Sequence, residues 1–309
     1  TGHITRINTN NMTGFNFKAV TEDCPAKGLY KVVPEDEADD NVVLFSRQYT
    51  DFFKLSLAQI PDYFNEYRDD SDTLIAIRSA WLSAAELLKI AIMTIEDIEP
   101  NELAVGVIRE QSENFPLWHI FISDTLDNGA GYASKYADSA TFQTLYDFIK
   151  HSFSQNYLQS EKHNITCLSS CYRCLRSYEN RLHHANLDWR LGLDLLSVMD
   201  GEYSEKINFQ LYWKPILKIQ IPKLLSQLLG DKPLEVILFR GRVIYYCEGN
   251  ILIVPLHPFE SRGVNKNLLF EEIKAEYSNC IVVDMCPYTF MRKPFTEKQN
   301  IAFKIRKSR

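Results

Sequence analysis

Three of the chain's seven cysteines fall within eight residues, as Cys167-Leu-Ser-Ser-Cys171-Tyr-Arg-Cys174, and no other stretch restricts the fold as tightly. The spacing is Cys-x3-Cys-x2-Cys, and two histidines, His183 and His184, follow about ten residues later. A tight Cys-x2-Cys turn aims two sulfurs inward, where thiolates converge at about 2.3 Å on one tetrahedral ion. Zinc in a structural role is the expectation. The first cysteine sits on a looser spacing, and the fourth ligand comes from His184, from His183 or from elsewhere. Clustered thiols in a chain without a secretory signal point to metal rather than to disulfides. A redox Cys-x2-Cys would open a helix in a thioredoxin-like βαβ setting, which this sequence does not display. A metal-free cysteine loop is the plain alternative.

With 309 residues, 45% hydrophobic and 12% aromatic, the chain has the material for one large core or two to three small ones. It carries no apolar run of membrane-spanning length and no signal peptide, so no membrane partner is expected and a reducing, cytoplasmic setting suits its thiols. It begins at Thr1 rather than at Met, as a piece of a longer polypeptide would. A net charge of −6 argues against gripping nucleic acid through bulk electrostatics. Local charge differs. Lys162, Arg173, Arg176, Arg181 and Arg190 surround the cysteines with Tyr172 and Tyr178 between them, and Lys304, Arg306, Lys307 and Arg309 close the chain. Interleaved basic and aromatic residues can track a phosphate backbone and stack on bases, although a solvated rim around a metal loop would look the same.

The pattern along the chain predicts an α+β fold: a β-rich lead-in over 1–70, a helical and stranded metal-binding module over 71–200, and a C-terminal α/β domain over 201–309 with a small mixed sheet. Two alternating runs, 2–8 and 15–20, flank an Asn/Gly turn and predict a hairpin. An acidic connection follows at 34–40. Leu74, Ile77, Trp81, Ala84, Leu88, Ile92 and Ile95 recur at helical spacing and predict a long helix over 72–96, apolar enough to pack on both sides. Strands are expected at 103–108 and 117–122 and helices at 133–136, 142–153 and 187–199. In the tail, helices are expected at 216–229 and 266–277 and strands at 234–239, 243–246, 251–254 and 280–284. Between Asp124 and Tyr132 a Gly-Ala-Gly turn joins strand to helix; it permits either an anion site on free amides or simple close packing, and Asp124 and Asp127 suit caps or turn acceptors.

No phosphate-binding loop, Asp-Glu-x-His box or Gly-x-Ser-x-Gly elbow occurs. Glu272-Ile-Lys274 matches the Glu-x-Lys of metal-dependent nucleases, yet it sits in a helical pattern where that motif requires a strand.

Taken together, Asp124-Thr-Leu-Asp-Asn-Gly-Ala-Gly131-Tyr, Ser170-Cys-Tyr-Arg-Cys-Leu-Arg-Ser-Tyr178-Glu-Asn180 and His184-x2-Leu187-Asp188 resemble the MZB-type zinc-binding module found C-terminal to superfamily-2 helicase cores. The likeness is strongest to the versions in bacterial anti-phage systems of Druantia and DISARM type, and is specific over about residues 103–196. It implies zinc on Cys167, Cys171 and Cys174. Because the chain departs from the family's four-cysteine form, His184, which aligns with a histidine of the relatives, is the implied fourth ligand, with Cys24, Cys247, Cys280 and Cys286 as alternatives. The resemblance further implies an accessory part of an ATP-dependent DNA helicase or translocase, with no catalytic site of its own, partnered by single-stranded DNA and by a helicase core in the same or another polypeptide. Arg173, Arg176, Arg181 and Tyr178 would contact the nucleic acid. A metal-dependent nuclease and a purely structural protein-interaction domain are the alternatives.

Overall fold

Strand pairing at the N-terminal end joins residues far apart in sequence. In the structure, a computed structural model that describes residues 2–8, 15–19, 30–32, 40–42, 44–57, 71–111, 116–200, 211–260 and 264–308, β1 (Gly2–Asn8) does not pair with β2 (Phe15–Ala19). β2 instead lies between β3 (Tyr30–Val32) and β4 (Asp40–Val42), and β1 runs antiparallel to β5 (Leu44–Thr50), from Gly2 opposite Thr50 to Asn8 opposite Leu44. The predicted hairpin is therefore corrected. A seven-residue partner matches β1 along its whole length, which the five-residue β2 cannot do. The expected turn after Asn8, and most of the acidic connection, lie outside the described residues.

The central packing element is the long apolar helix. After β6 (Phe52–Ser56), α1 (Ser71–Glu96) buries Ile77, Ala80, Trp81, Ala84, Leu87, Leu88, Ala91 and Ile92 completely. One side of α1 covers an antiparallel sheet made by β6, β8 (Pro116–Asp124) and β7 (Leu103–Gln111), in that order. Strand residues alternate between faces, so Trp118, Ile120 and Ile122 all face inward, and the Trp118 ring stacks on Trp81 at 6.5 Å. On the outer face Phe121 lies over Gly106, where a side chain would collide with its ring.

The strand-to-helix turn after β8 leads into α2 (Tyr132–Lys135) and is filled from within. The Asp124 carboxylate accepts the amides of Ala130, Gly131 and Ala133 at 2.6, 2.7 and 2.9 Å, so the turn's donors are already bound and offer no anion site. Helix α3 (Ser139–Asp147) continues into a wider π-helical stretch, Phe148–Leu158, then α4 (Glu161–Thr166), the cysteine loop and α5 (Trp189–Met199). Helix α5 crosses the second side of α1. Gly192 permits this approach, since a Cβ there would lie 2.8 Å from Leu87 Cδ1 and 2.9 Å from the Ser83 carbonyl carbon.

In the tail, a π-helical turn (Ile216–Gln220) enters α6 (Ile221–Leu228), and β9 (Leu234–Phe239), β10 (Arg242–Cys247) and β11 (Ile251–Pro255) form a meander. Helix α7 (Val264–Glu276) crosses over, so that β12 (Ile281–Met285) joins β11 in parallel. The mixed sheet has two apolar faces. Ile244, Leu252, Val254 and Val282 pack with Ile273 of α7, whereas Val243, Tyr245, Ile253, Val283 and Met285 join the core that contains α1 and α5. Helix α8 (Pro287–Arg292) is tied to α1 by a 2.6 Å hydrogen bond between Tyr288 and Ser79, and α9 (Pro294–Ser308) lies against β12. The architecture is α+β, and no described helix is long and apolar enough to cross a membrane.

Because Gly192 faces backbone on α1, Gly192→Ala forces the two helices apart. We expect a loss of about 1–3 kcal/mol, the usual cost of overpacking a tight core, measured as a lower denaturant midpoint with an unchanged slope.

Candidate metal centre

Residues from one short helix and one turn bring four soft donors together. The Ser160 hydroxyl accepts the His163 amide at 3.4 Å and starts α4, and the Cys167 amide closes its last turn on the His163 carbonyl at 2.7 Å. His163 and Cys167 are four residues apart on one helical turn and therefore share a face. The loop then doubles back, with the amides of Cys174 and Arg176 both bonding the Cys171 carbonyl at 3.0 Å. Cys174 Sγ ends 3.8 Å from Cys167 Sγ and 3.6 Å from Cys171 Sγ, and Cys171 Sγ is 3.6 Å from His163 Nε2. All four donor atoms lie within 4.8 Å of one another, so this group could hold a metal ion.

The surroundings orient these donors. His163 Nδ1 lies 2.9 Å from the Leu158 carbonyl, which places the proton on Nδ1 and leaves the Nε2 lone pair for an ion. The Tyr157 and Trp189 rings hold the imidazole plane at 5.1 and 5.9 Å. The Cys171 amide donates to Cys174 Sγ at 3.1 Å, the kind of bond that favours a thiolate. Cys167 and Cys174 are buried and Cys171 is half-buried. Proton affinities reflect this crowding. Hydrogen bonding from Cys174 and then, against the cost of burial, His163 pulls the Cys167 thiol down to about 4, while the bond to Cys167 and burial push Cys174 up. Burial opposes charge on His163, but its bonds to Cys167 and the Leu158 carbonyl outweigh that and raise it to about 9. A cation would displace these protons, because thiolates and neutral imidazole are the ligand forms.

Arg190 anchors the loop to α5. Its side chain is wholly buried and donates to Asn164 Oδ1 at 2.8 Å, to the carbonyls of Leu168 and Cys167 at 3.0 and 3.3 Å, and to the Tyr212 carbonyl at 3.3 Å. The Trp189 amide donates to the Ser169 carbonyl at 3.0 Å. On the other flank Arg292 of α8 reaches Asp188 Oδ2 at 3.3 Å and the carbonyls of Ala185 and Leu187, both at 3.1 Å.

The structure gathers Cys167, Cys171 and Cys174 with His163 in one group that could hold a metal ion, whereas His184, the fourth ligand implied by the resemblance, stands outside that group. The His184 ring donates from Nε2 to the Ser177 carbonyl at 2.8 Å and meets Tyr172 edge-on at 5.4 Å. Cys247, Cys280 and Cys286 belong to the C-terminal sheet region, away from the group, and Cys24 lies outside the described residues. The basic rim divides. Arg173 and Arg181 are exposed, Arg176 is half-buried with Nε on Ser170 Oγ at 2.9 Å, and Arg190 is structural. Tyr178 is 73% exposed, with the Arg181 guanidinium 4.5 Å from its ring centre. The missed histidine had a signal in the sequence, since His163-x3-Cys167 places two potential donors one helical turn apart. No family model, curated protein or solved structure matches this chain.

These placements separate the two histidines. In a cobalt(II) titration read by thiolate charge-transfer absorption, His163→Ala should weaken binding by more than the roughly 10–100-fold typical of a supporting residue, whereas His184→Ala should bind as the parent does.

Proposed function

We propose that this chain is the zinc-binding accessory part of an ATP-dependent DNA helicase or translocase of bacterial anti-phage defence, and that its zinc is structural. One observation carries the metal assignment: three of the six spacings among the four donors match the edges of a small tetrahedron, and all lie within 4.8 Å. Sulfur at about 2.3 Å and imidazole nitrogen at about 2.0–2.1 Å from zinc require S···S edges of about 3.8 Å and S···N edges of about 3.6 Å. The spacings of 3.8, 3.6 and 3.6 Å fit that ion. Four protein ligands close the coordination sphere, and such a site supplies folding free energy, on the order of 10 kcal/mol in small modules, rather than chemistry. The six described cysteines are all free thiols, which suits a reducing cytoplasm.

The helicase assignment rests on the likeness of the cysteine motif and its flanks to MZB-type modules. Its support in the structure is the rim, where Arg173, Arg181 and Tyr178 stay exposed beside the closed site. The nuclease alternative finds no such support. Glu272 and Lys274 lie on α7, and the Glu272 carboxylate pairs with Arg240 at 2.7 Å. On the mixed sheet, Asp284 is held by Lys266 and Lys304 at 3.1 and 3.0 Å, and among the described residues no second metal-ligating group assembles.

The test is a salt titration of single-stranded DNA affinity with the zinc-loaded chain. Affinity should fall with salt, and Arg173→Ala and Arg181→Ala should each make the log–log slope shallower by roughly 0.7, the single-strand value per phosphate contact. Absence of binding at low salt would leave a protein-interaction role. ATP hydrolysis by this chain alone would overturn the division of labour with a separate motor.

A further inference from the structure

The two most exposed tyrosines of the cysteine loop each have a neighbouring side chain against the ring, His184 at Tyr172 and Arg181 at Tyr178. Tyr172 and Tyr178 are each 73% exposed, although the loop that carries them also buries Cys174, Leu175 and Asn180. Tyr172 sits between the ligands Cys171 and Cys174, and its ring is braced edge-on by His184, whose own orientation is set by the Ser177 carbonyl. Tyr178 follows four residues after Cys174. Its backbone is clamped by Asn180, which accepts the Ser177 amide at 2.9 Å and donates to the Leu175 carbonyl at 2.7 Å, while Arg181 lies on one side of its ring. Large apolar rings left in water on a rigid support are preorganised for contact, because little freedom remains to be lost on binding. Charge states the kind of partner. Between Cys167 and Asp188 the chain has three arginines and one carboxylate, in a protein of net charge −6. That carboxylate, Glu179, bonds back to its own amide and to Ser177.

We infer that Tyr172 and Tyr178 are two stacking platforms for unpaired bases of a single DNA strand, that His184 and Arg181 position them, and that Arg173 and Arg181 meet the intervening phosphates. The inference rests on the DNA-contact reading above and adds that the loop holds bases as well as phosphates. An aromatic face with a cation beside it suits base stacking, which tolerates any sequence because every base has a π-face. His184, displaced from the metal by His163, thereby acquires a role as a positioning residue.

The experiment compares a labelled oligo-dT with an abasic strand of equal length and charge, both titrated by fluorescence anisotropy into the zinc-loaded full chain. The parent should prefer oligo-dT. Tyr172→Ala and Tyr178→Ala should each lose roughly tenfold on oligo-dT, should bind the abasic strand as the parent does, and should keep one bound metal per chain. Tyr172→Phe and Tyr178→Phe should restore oligo-dT affinity, since the ring and not the hydroxyl stacks. His184→Ala should reduce the preference for oligo-dT without losing metal. Equal binding of both strands by the parent, or alanine variants that still prefer oligo-dT, would overturn the stacking inference while leaving phosphate contact standing. Binding of neither strand would overturn both.

Discussion

A guanidinium removed from water needs its donors satisfied, and Arg190 meets that demand only where α4, the cysteine loop, α5 and the segment entering the C-terminal sheet all meet. Its bonds run to Asn164, to the carbonyls of Cys167 and Leu168, and to that of Tyr212, while its plane lies 4.2 Å from the centre of the Trp189 ring. Breaking a buried charge cluster by removing one partner costs about 3–5 kcal/mol, because the rest are left unpaired. Two of these carbonyls, of Cys167 and Leu168, belong to the turn that starts the Cys-x3-Cys spacing. Cysteine loop and protein core are therefore continuous: α5 packs against α1, and Leu187, Trp189 and Leu191 are buried in the same core as Cys167.

Periodicity made the framework legible. The almost wholly apolar repeat from Leu74 to Ile95 has one reading, a helix packed on two sides, and the structure places a sheet and α5 there. Strands such as 234–239 and 251–254 were equally clear, because β-branched residues run between glycine-bearing turns. Pairing partners were not. β1 found β5 across some forty residues, a choice made by matching strand length and not by local turn residues. The cysteines were legible as a metal cluster for a simple reason: few other roles use three thiols in eight residues. His163 was missed because α4, only six residues long, carries too little periodic signal to declare itself. Without that helix the upstream histidine has no defined direction, and the downstream pair attracts the assignment. Charge was likewise readable in number and unreadable in placement. Arg190 and Arg173 look alike in sequence, yet one is a buried clamp and the other faces solvent.

Having His163 rather than His184 in the donor group changes what the loop could do. His163 lies inside α4, Cys167 just after it and Cys171 and Cys174 in the loop, so a bound ion would tie the loop to α4 while Tyr172, Arg173, Tyr178, Arg181 and Leu182 stay exposed. Under the proposed structural role, a site closed by four protein ligands would contribute shape rather than chemistry. Tyr172, Arg173, Tyr178 and Arg181 are exposed on this stretch, and under the proposed function a DNA strand is the partner whose chemistry answers both arginines and tyrosines.

The claim on which the account depends is the ligand set, and X-ray absorption at the zinc edge of the purified, metal-loaded chain reads it most directly. Three sulfurs at about 2.3 Å and one imidazole nitrogen at about 2.0–2.1 Å, with the nitrogen shell lost in His163→Ala and kept in His184→Ala, is the predicted result. Four sulfurs, an oxygen in the fourth position, or a nitrogen shell that disappears with His184 and not with His163 would contradict it.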